Sequence, residues 1–182
     1  MRNTNPKMAA LIEGALMVAL AIALNFLRLF RLPDGGSVDL AMIPIIIYAV
    51  RRGPGWGVGA GLAFGIIDFL LGGMAYTWQV IVLDYILAFS TLGLAGVFKG
   101  KKNAVVWGTL LAGFCKFLVH YISGVVLWAE YMPEVFFGIG MSTPYFYSLL
   151  YNGSFMGLNV VLCLIVCKLL EKPLEKALPA VE

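Results

Sequence analysis

The chain has 182 residues, 61% of them hydrophobic and only 13% charged, with a mean hydropathy of +0.91 and a formal charge of +3. A soluble domain averages about 45–50% apolar and about 25% charged residues. The composition therefore excludes a soluble globular protein and defines an integral membrane protein. At roughly 20 residues per span, the length suits a single domain of about six helices and leaves no room for a soluble catalytic domain.

The predicted fold is all-α, with spans at about 8–29, 40–50, 56–71, 78–98, 104–129 and 143–170. The first run, "MAALIEGALMVALAIALNFL", outlasts a signal-peptide core and contains Glu13, so it reads as a retained helix. Its small-residue stripe, Ala15, Ala19 and Ala23, suits either internal packing or a partner subunit. The second run is short and holds Pro44, and charge placement decides its status. With six crossings and a cytoplasmic N-terminus, Arg2, Lys7, Arg51, Arg52, Lys99, Lys101, Lys102, Lys168, Lys172 and Lys176 lie inside. Only Arg28 and Arg31 then lie outside. The positive-inside rule thus predicts six helices with both termini cytoplasmic. Basic residues placed this way set topology, and no nucleic-acid partner is expected.

The third run, "GPGWGVGAGLAFG", spaces Gly57, Gly61 and Gly65 by four residues. Without a strand–turn–helix setting or a Gly-Lys-Ser/Thr ending it is not a phosphate loop. Close helix packing is the expected role. Cys115, Cys163 and Cys167 all sit in apolar runs and read as packing residues, with no disulfide, metal or cofactor expected.

Ionisable residues within spans mark function by default. Here they are Glu13, Asp68, Asp84, Lys116 and His120. Lys116, His120, Gly124 and Trp128 follow an i, i+4 rule and share one helical stripe. At 1.5 Å per residue, His120 lies about 12 Å and Lys116 about 18 Å below Trp128. Asp84 on the fourth run, and Tyr147, Tyr151 and Asn152 on the sixth, fall in the same outer half. Gly124 leaves a gap in which a flat ring would rest on backbone. A purely structural alternative has Lys116 and Asp84 neutralising each other, with His120 bonded to a tyrosine. Aromatic faces at Tyr76, Tyr85, Trp128, Tyr147 and Tyr151, with the polar groups of Asp84 and Asn152, favour a small, flat, cationic heterocycle.

The segments "EGALMVALA" (13–21), "VDLAMIPIIIYAVRRG" (38–53), "LDYILAFSTLGLAGVF" (83–98), "KFLVHYISGVVLW" (116–128) and "YSLLYNG" (147–153) carry a resemblance over about residues 9 to 170. The chain resembles the thiamine-specific S-components of energy-coupling factor (ECF) transporters. That resemblance implies a thiamine pocket open to the outside, no catalysis, and residence in the cell membrane among its lipids. It implies a transmembrane coupling subunit, meeting Ala15, Ala19 and Ala23, and two cytoplasmic ATPases as partners. The family's binding residues fall on Lys116, His120, Gly124 and Trp128 of the fifth helix and Tyr147 and Asn152 of the sixth. Its glutamate–tyrosine pair falls on Asp84 and Tyr85, and its loop tyrosine on Tyr76.

Asp84 is one methylene shorter than the family glutamate. The first outer loop, "RLPDGGSVD", lacks the tryptophan that some members place over the ligand. Tyr147 and Asn152, about 140° apart on an ideal helix, share a pocket only if it is wide or the helix begins irregularly. Two other readings remain: an S-component for a different vitamin, and a small membrane enzyme using Lys116, His120 and Asp84 as acid–base groups.

Overall fold

The computed structural model describes residues 5–32 and 36–170, together with Pro173 and Lys176. Arg2, Lys172 and residues 33–35 of the first outer loop lie outside the described residues. The chain forms α1 (Pro6–Phe26), a hairpin of β1 (Phe30–Arg31) and β2 (Ser37–Val38), α2 (Met42–Arg52), α3 (Pro54–Leu70) and α4 (Trp78–Phe98). It continues with α5 (Ala104–Val126), a hairpin of β3 (Val135–Phe136) and β4 (Ile139–Gly140), and α6 (Pro144–Leu169). Among the described residues, α1, α4, α5 and α6 are long and apolar enough to cross a membrane, while α3 is a shorter apolar helix. The class is therefore the expected one, an all-α membrane protein, with two small hairpins that sequence reading did not place.

Helix starts follow local chemistry. Asn5 caps α1 by accepting from the Lys7 N–H at 3.0 Å, and Thr143 caps α6 by accepting from the Phe146 N–H at 3.2 Å. Pro6, Pro54 and Pro144 each open a helix, where the missing N–H costs nothing. In the second hairpin Phe137 (φ 49°) and Gly138 (φ 76°) make a two-residue turn of the mirror-image kind, whose twist matches its strands.

The helix that hydropathy found hardest to place is the centre of the bundle. At 11 residues α2 is about 16 Å long, roughly half a hydrocarbon core. It is buried on nearly every side, from Met42 to Ile46 and from Tyr48 to Val50. The loop residues Asp39 and Ala41 that precede it are buried as well. Below it, Gly53 (φ 100°) makes the tight turn into α3. Glu13 of α1 is not isolated in the apolar core. It pairs with Arg51 at 2.8 Å and with Arg52, at the same end of the bundle. On α1 the buried face is Ala10, Gly14, Val18, Ala21 and Asn25, so Ala15, Ala19 and Ala23 face outward with Leu16 and Leu20.

The glycine stripe of α3 packs internally, as its spacing predicts. A side chain at Gly61 would meet the Phe89 carbonyl, and one at Gly65 the Tyr85 carbonyl, so α3 lies directly on the backbone of α4. The Gly65 contact falls within the segment of α4 that is π-helical, Ile81–Leu87, before the helix tightens to 3-10 geometry over Thr91–Phe98. Gly65→Val should therefore lower stability by about 1–3 kcal/mol or more through overpacking. Thermal unfolding in detergent checks this, and an unchanged midpoint would contradict backbone contact at this seam.

Candidate functional site

Where α1, α3 and α5 end and α2, α4 and α6 begin, the helices enclose a cavity of about 1170 Å³, its mouth included. The π-helical stretch of α4 brings the adjacent residues Asp84 and Tyr85 both to its wall. Such widened turns recur at functional sites. The two oxygens of Asp84 are used by two side chains of one partner segment. His120 Nδ1 lies 3.1 Å from Oδ1, and the Trp128 indole N–H donates to Oδ2 at 3.0 Å. A carboxylate only accepts, so this contact places the imidazole proton on Nδ1. Tyr85 is fixed through its hydroxyl, which takes the Met74 N–H at 2.8 Å and donates to the Met74 carbonyl at 3.2 Å.

Lys116 lies at the wall with 6% of its surface exposed and its ammonium 4.0 Å from the centre of the Phe89 ring. Asp39, Asp68 and Asp84 all act on it electrostatically, but none is within ion-pairing distance. The structural alternative thus fails on both counts: Asp84 is engaged by His120 and Trp128, and not by Lys116. An amine held over an aromatic face, with no carboxylate within ion-pairing distance, leaves its donors open to the cavity.

From α6 the cavity receives two neighbouring rows. One is Tyr147, Tyr151, Phe155 and Asn159; the other is Ser148 and Asn152. This breadth is why Tyr147 and Asn152, though far apart in helical angle, both line one site. Asn152 Nδ2 donates to the His120 carbonyl (3.2 Å) and to Ser148 (3.0 and 3.1 Å), tying α6 to α5. Gly124 lies in this seam. The space its missing Cβ leaves is filled by Ser148 Oγ and Asn152 Nδ2, so it brings helices together and does not seat a flat ring.

At the mouth, Tyr76 meets the edge of Trp128 at 5.3 Å and stacks on Tyr131 at 4.7 Å, with the planes only 12° apart. Tyr131, in the turn after α5, also lies 5.6 Å from Trp128. These rings belong to the segments after α3 and α5, while the first outer loop has no tryptophan. That loop is instead tied down onto α6. Gly36 N–H donates to the Tyr151 hydroxyl (2.9 Å), Asp39 N–H to Asn159 Oδ1 (2.9 Å), and Asn159 Nδ2 to the Ser37 carbonyl (2.7 Å).

All the expected pocket residues therefore converge: Asp84, Tyr85, Lys116, His120, Gly124, Trp128, Tyr147 and Asn152 line the cavity, and Tyr76 packs on its rim. Ala15, Ala19 and Ala23 lie apart on the exposed face of α1. Sequence reading missed Tyr131, Ser148, Asn159 and the Asn25–Asp68 pair, whose side chains meet at 2.5 Å. Asn159 had a signal, a lone amide in the apolar run "GLNVVL".

A half-polar, aromatic-rimmed cavity inside an all-α membrane protein defines a small-molecule-binding membrane protein. The profile of the family described as thiamine transporter protein (Thia_YuaJ) matches residues 11–178. The thiamine transporter ThiT of Bacillus subtilis is 32% identical, covering 92% of this chain and 93% of its own. The thiamine transporter ThiT of Lacticaseibacillus paracasei is 28% identical, with 88% and 85% covered. A solved structure of ThiT from Listeria monocytogenes aligns with a TM-score of 0.82 at 27% identity, over 96% of this chain and 99% of that one. The chain belongs to the thiamine transporter protein family, and it is a transport protein rather than an enzyme.

Asn159 carries both a donor and an acceptor for the loop. Asn159→Ala should leave buried backbone groups unpaired, at about 1–3 kcal/mol, and speed amide exchange at Asp39 while α2 stays protected. Exchange at Asp39 as slow as in the parent would contradict the anchoring.

Proposed function

We propose that this chain is the thiamine-binding S-component of an ECF-type importer in the cell membrane. It has six spans and cytoplasmic termini, and takes thiamine from outside and passes it inward with a coupling subunit and two ATPases. The observation that carries the reading is Asp84, which orients His120 and Trp128 at the cavity wall beneath a cluster of aromatic rings. Thiamine offers an aminopyrimidine with donors for a carboxylate, and a planar thiazolium cation for aromatic faces. Trp128 stacks on one ring, Asp84 and Asn152 take polar contacts, and Lys116, His120, Tyr85, Tyr147 and Tyr76 complete the enclosure.

A desolvated cation–π or stacking contact is worth about 2 kcal/mol, and a charge-assisted hydrogen bond about 1.5–3 kcal/mol. Trp128→Ala and Asp84→Asn should each weaken thiamine binding roughly ten- to a hundredfold, at about 1.4 kcal/mol per decade. Ile165→Ala, on the exposed side of α6, should change it little. Calorimetry on detergent-purified protein decides; parent-like binding in both pocket variants would place the site elsewhere.

The coupling subunit meets the outward stripe of Ala15, Ala19 and Ala23, where small side chains allow close helix approach. Ala19→Trp should then abolish uptake while leaving thiamine binding nearly intact. A joint loss of binding and uptake would remove the partner assignment.

The topology follows from the basic residues: among the described ones, Arg51, Arg52, Lys99, Lys101 and Lys102 lie at or beyond the ends of α2 and α4, away from the cavity, whereas Arg28, Arg31 and Lys116 line it. Cysteines introduced at 137 and 138 should react with an impermeant reagent in intact cells, and those at 101 and 102 should not. The reverse pattern would invert the proposed orientation.

A further inference from the structure

From the end of α1 into β1 the chain reads "FLRLFR", Phe26 to Arg31. Arg28 and Arg31 line the cavity, and the Arg28 Nε–H donates to the Asn25 carbonyl at 3.1 Å. The apolar side chains of the same segment behave differently: Phe26, Leu27, Leu29 and Phe30 are 55–68% exposed. β1 is also held from one side only. The Leu29 N–H donates to the Val38 carbonyl at 2.9 Å and the Leu32 N–H to the Gly36 carbonyl at 2.7 Å, so its bonds run towards β2. It is the β2 side, through Gly36, Ser37 and Asp39, that is tied to α6. A lone two-stranded hairpin is marginal at best, and the apolar side of β1 has no cover from the bundle.

The helices set the level of this segment. α1 has 21 residues, about 32 Å at 1.5 Å per residue, which matches a hydrocarbon core of about 30 Å. Residues 26–30 therefore follow at the membrane boundary. At the same end α4 opens with the exposed Trp78 and α6 with the exposed Tyr145, as an interfacial aromatic belt requires. The lipid-facing side of α1, marked by Leu16 and Leu20, runs on into Leu27 two turns later. Small side chains let a partner helix approach closely; these four are large, and they suit lipid. We propose that Phe26, Leu27, Leu29 and Phe30 rest in the headgroup–acyl boundary of the leaflet on the cavity side, and that this lipid surface completes the support of β1. Arg28 and Arg31, on the other side of the same segment, are thereby kept at the cavity. The proposal depends on α1 spanning the membrane, and no ligand enters it.

Nitroxide labels test the placement. Leu27→Cys and Phe30→Cys are labelled in a Cys115→Ser background, which keeps only the buried Cys163 and Cys167. The protein is placed, with no other subunit, in nanodiscs of phosphatidylethanolamine and phosphatidylglycerol. Ile165→Cys on the exposed side of α6 gives the lipid reference, and Lys101→Cys in an exposed loop gives the aqueous one. Both segment labels should favour collision with oxygen over a nickel chelate, by a ratio at least about fivefold above that of the label at 101. A ratio equal to the aqueous reference at either position overturns the proposal, as does protection that appears only when a coupling subunit is added. Should either variant fail to fold, Phe26→Cys or Leu29→Cys takes its place. In unlabelled protein in the same nanodiscs, Phe30→Ser should speed amide exchange at Leu29 and Leu32 at least about tenfold while α2 stays protected, and Phe30→Trp should keep the parent rate. Parent-like exchange in Phe30→Ser, or equal acceleration in Phe30→Trp, overturns it as well.

Discussion

The site depends on one carboxylate. Asp84 receives the imidazole of His120 and the indole of Trp128, and so joins α4 to the end of α5 across the cavity. In a low-dielectric setting these bonds are stronger than in water, and leaving any of the three groups unpaired is costly. The rings therefore have fixed orientations before any ligand arrives. Preorganisation of this kind reduces the ordering cost of binding. The aromatic rim of Tyr76, Trp128 and Tyr131 rests on it, because Trp128 is the ring that the carboxylate holds.

Two features of the bundle place Asp84 where it can act. Glycines of α3 let α4 approach backbone to backbone, and α4 departs from α-helical geometry over the stretch that carries Asp84 and Tyr85. The short, buried α2 leaves its upper end to a loop held by Tyr151 and Asn159. That loop is thus part of the cavity wall, continuous with the bundle beneath it. The far end is polar in a different way, with Glu13 bridging Arg51 and Arg52.

Much of this was legible in the sequence because it is local. Lys116, His120 and Gly124 lie on one helix, and their four-residue spacing gives their common face directly. The apolar runs gave the helices to within a few residues, and the glycine spacing of α3 gave its seam. What escaped is non-local. Trp128 lies beyond the end of α5, so spacing could not show that its indole reaches Asp84. The loop bonds to Tyr151 and Asn159 join residues 115 to 122 apart in the chain. No periodicity announces a π-helical segment, and Gly124 offered two uses, of which close packing against Ser148 and Asn152 is the one realised. Asp68 was visible as a charge in an apolar run, but its amide partner lies 43 residues earlier on another helix.

The central claim is that the cavity held by Asp84 retains thiamine. The most direct measurement is mass spectrometry of small molecules released by denaturing protein purified from cells grown with the vitamin, with a wash-matched Trp128→Ala sample alongside. The account predicts one thiamine per chain from the parent and far less from the variant. A different heterocycle from the parent, or equal thiamine from both, would contradict it.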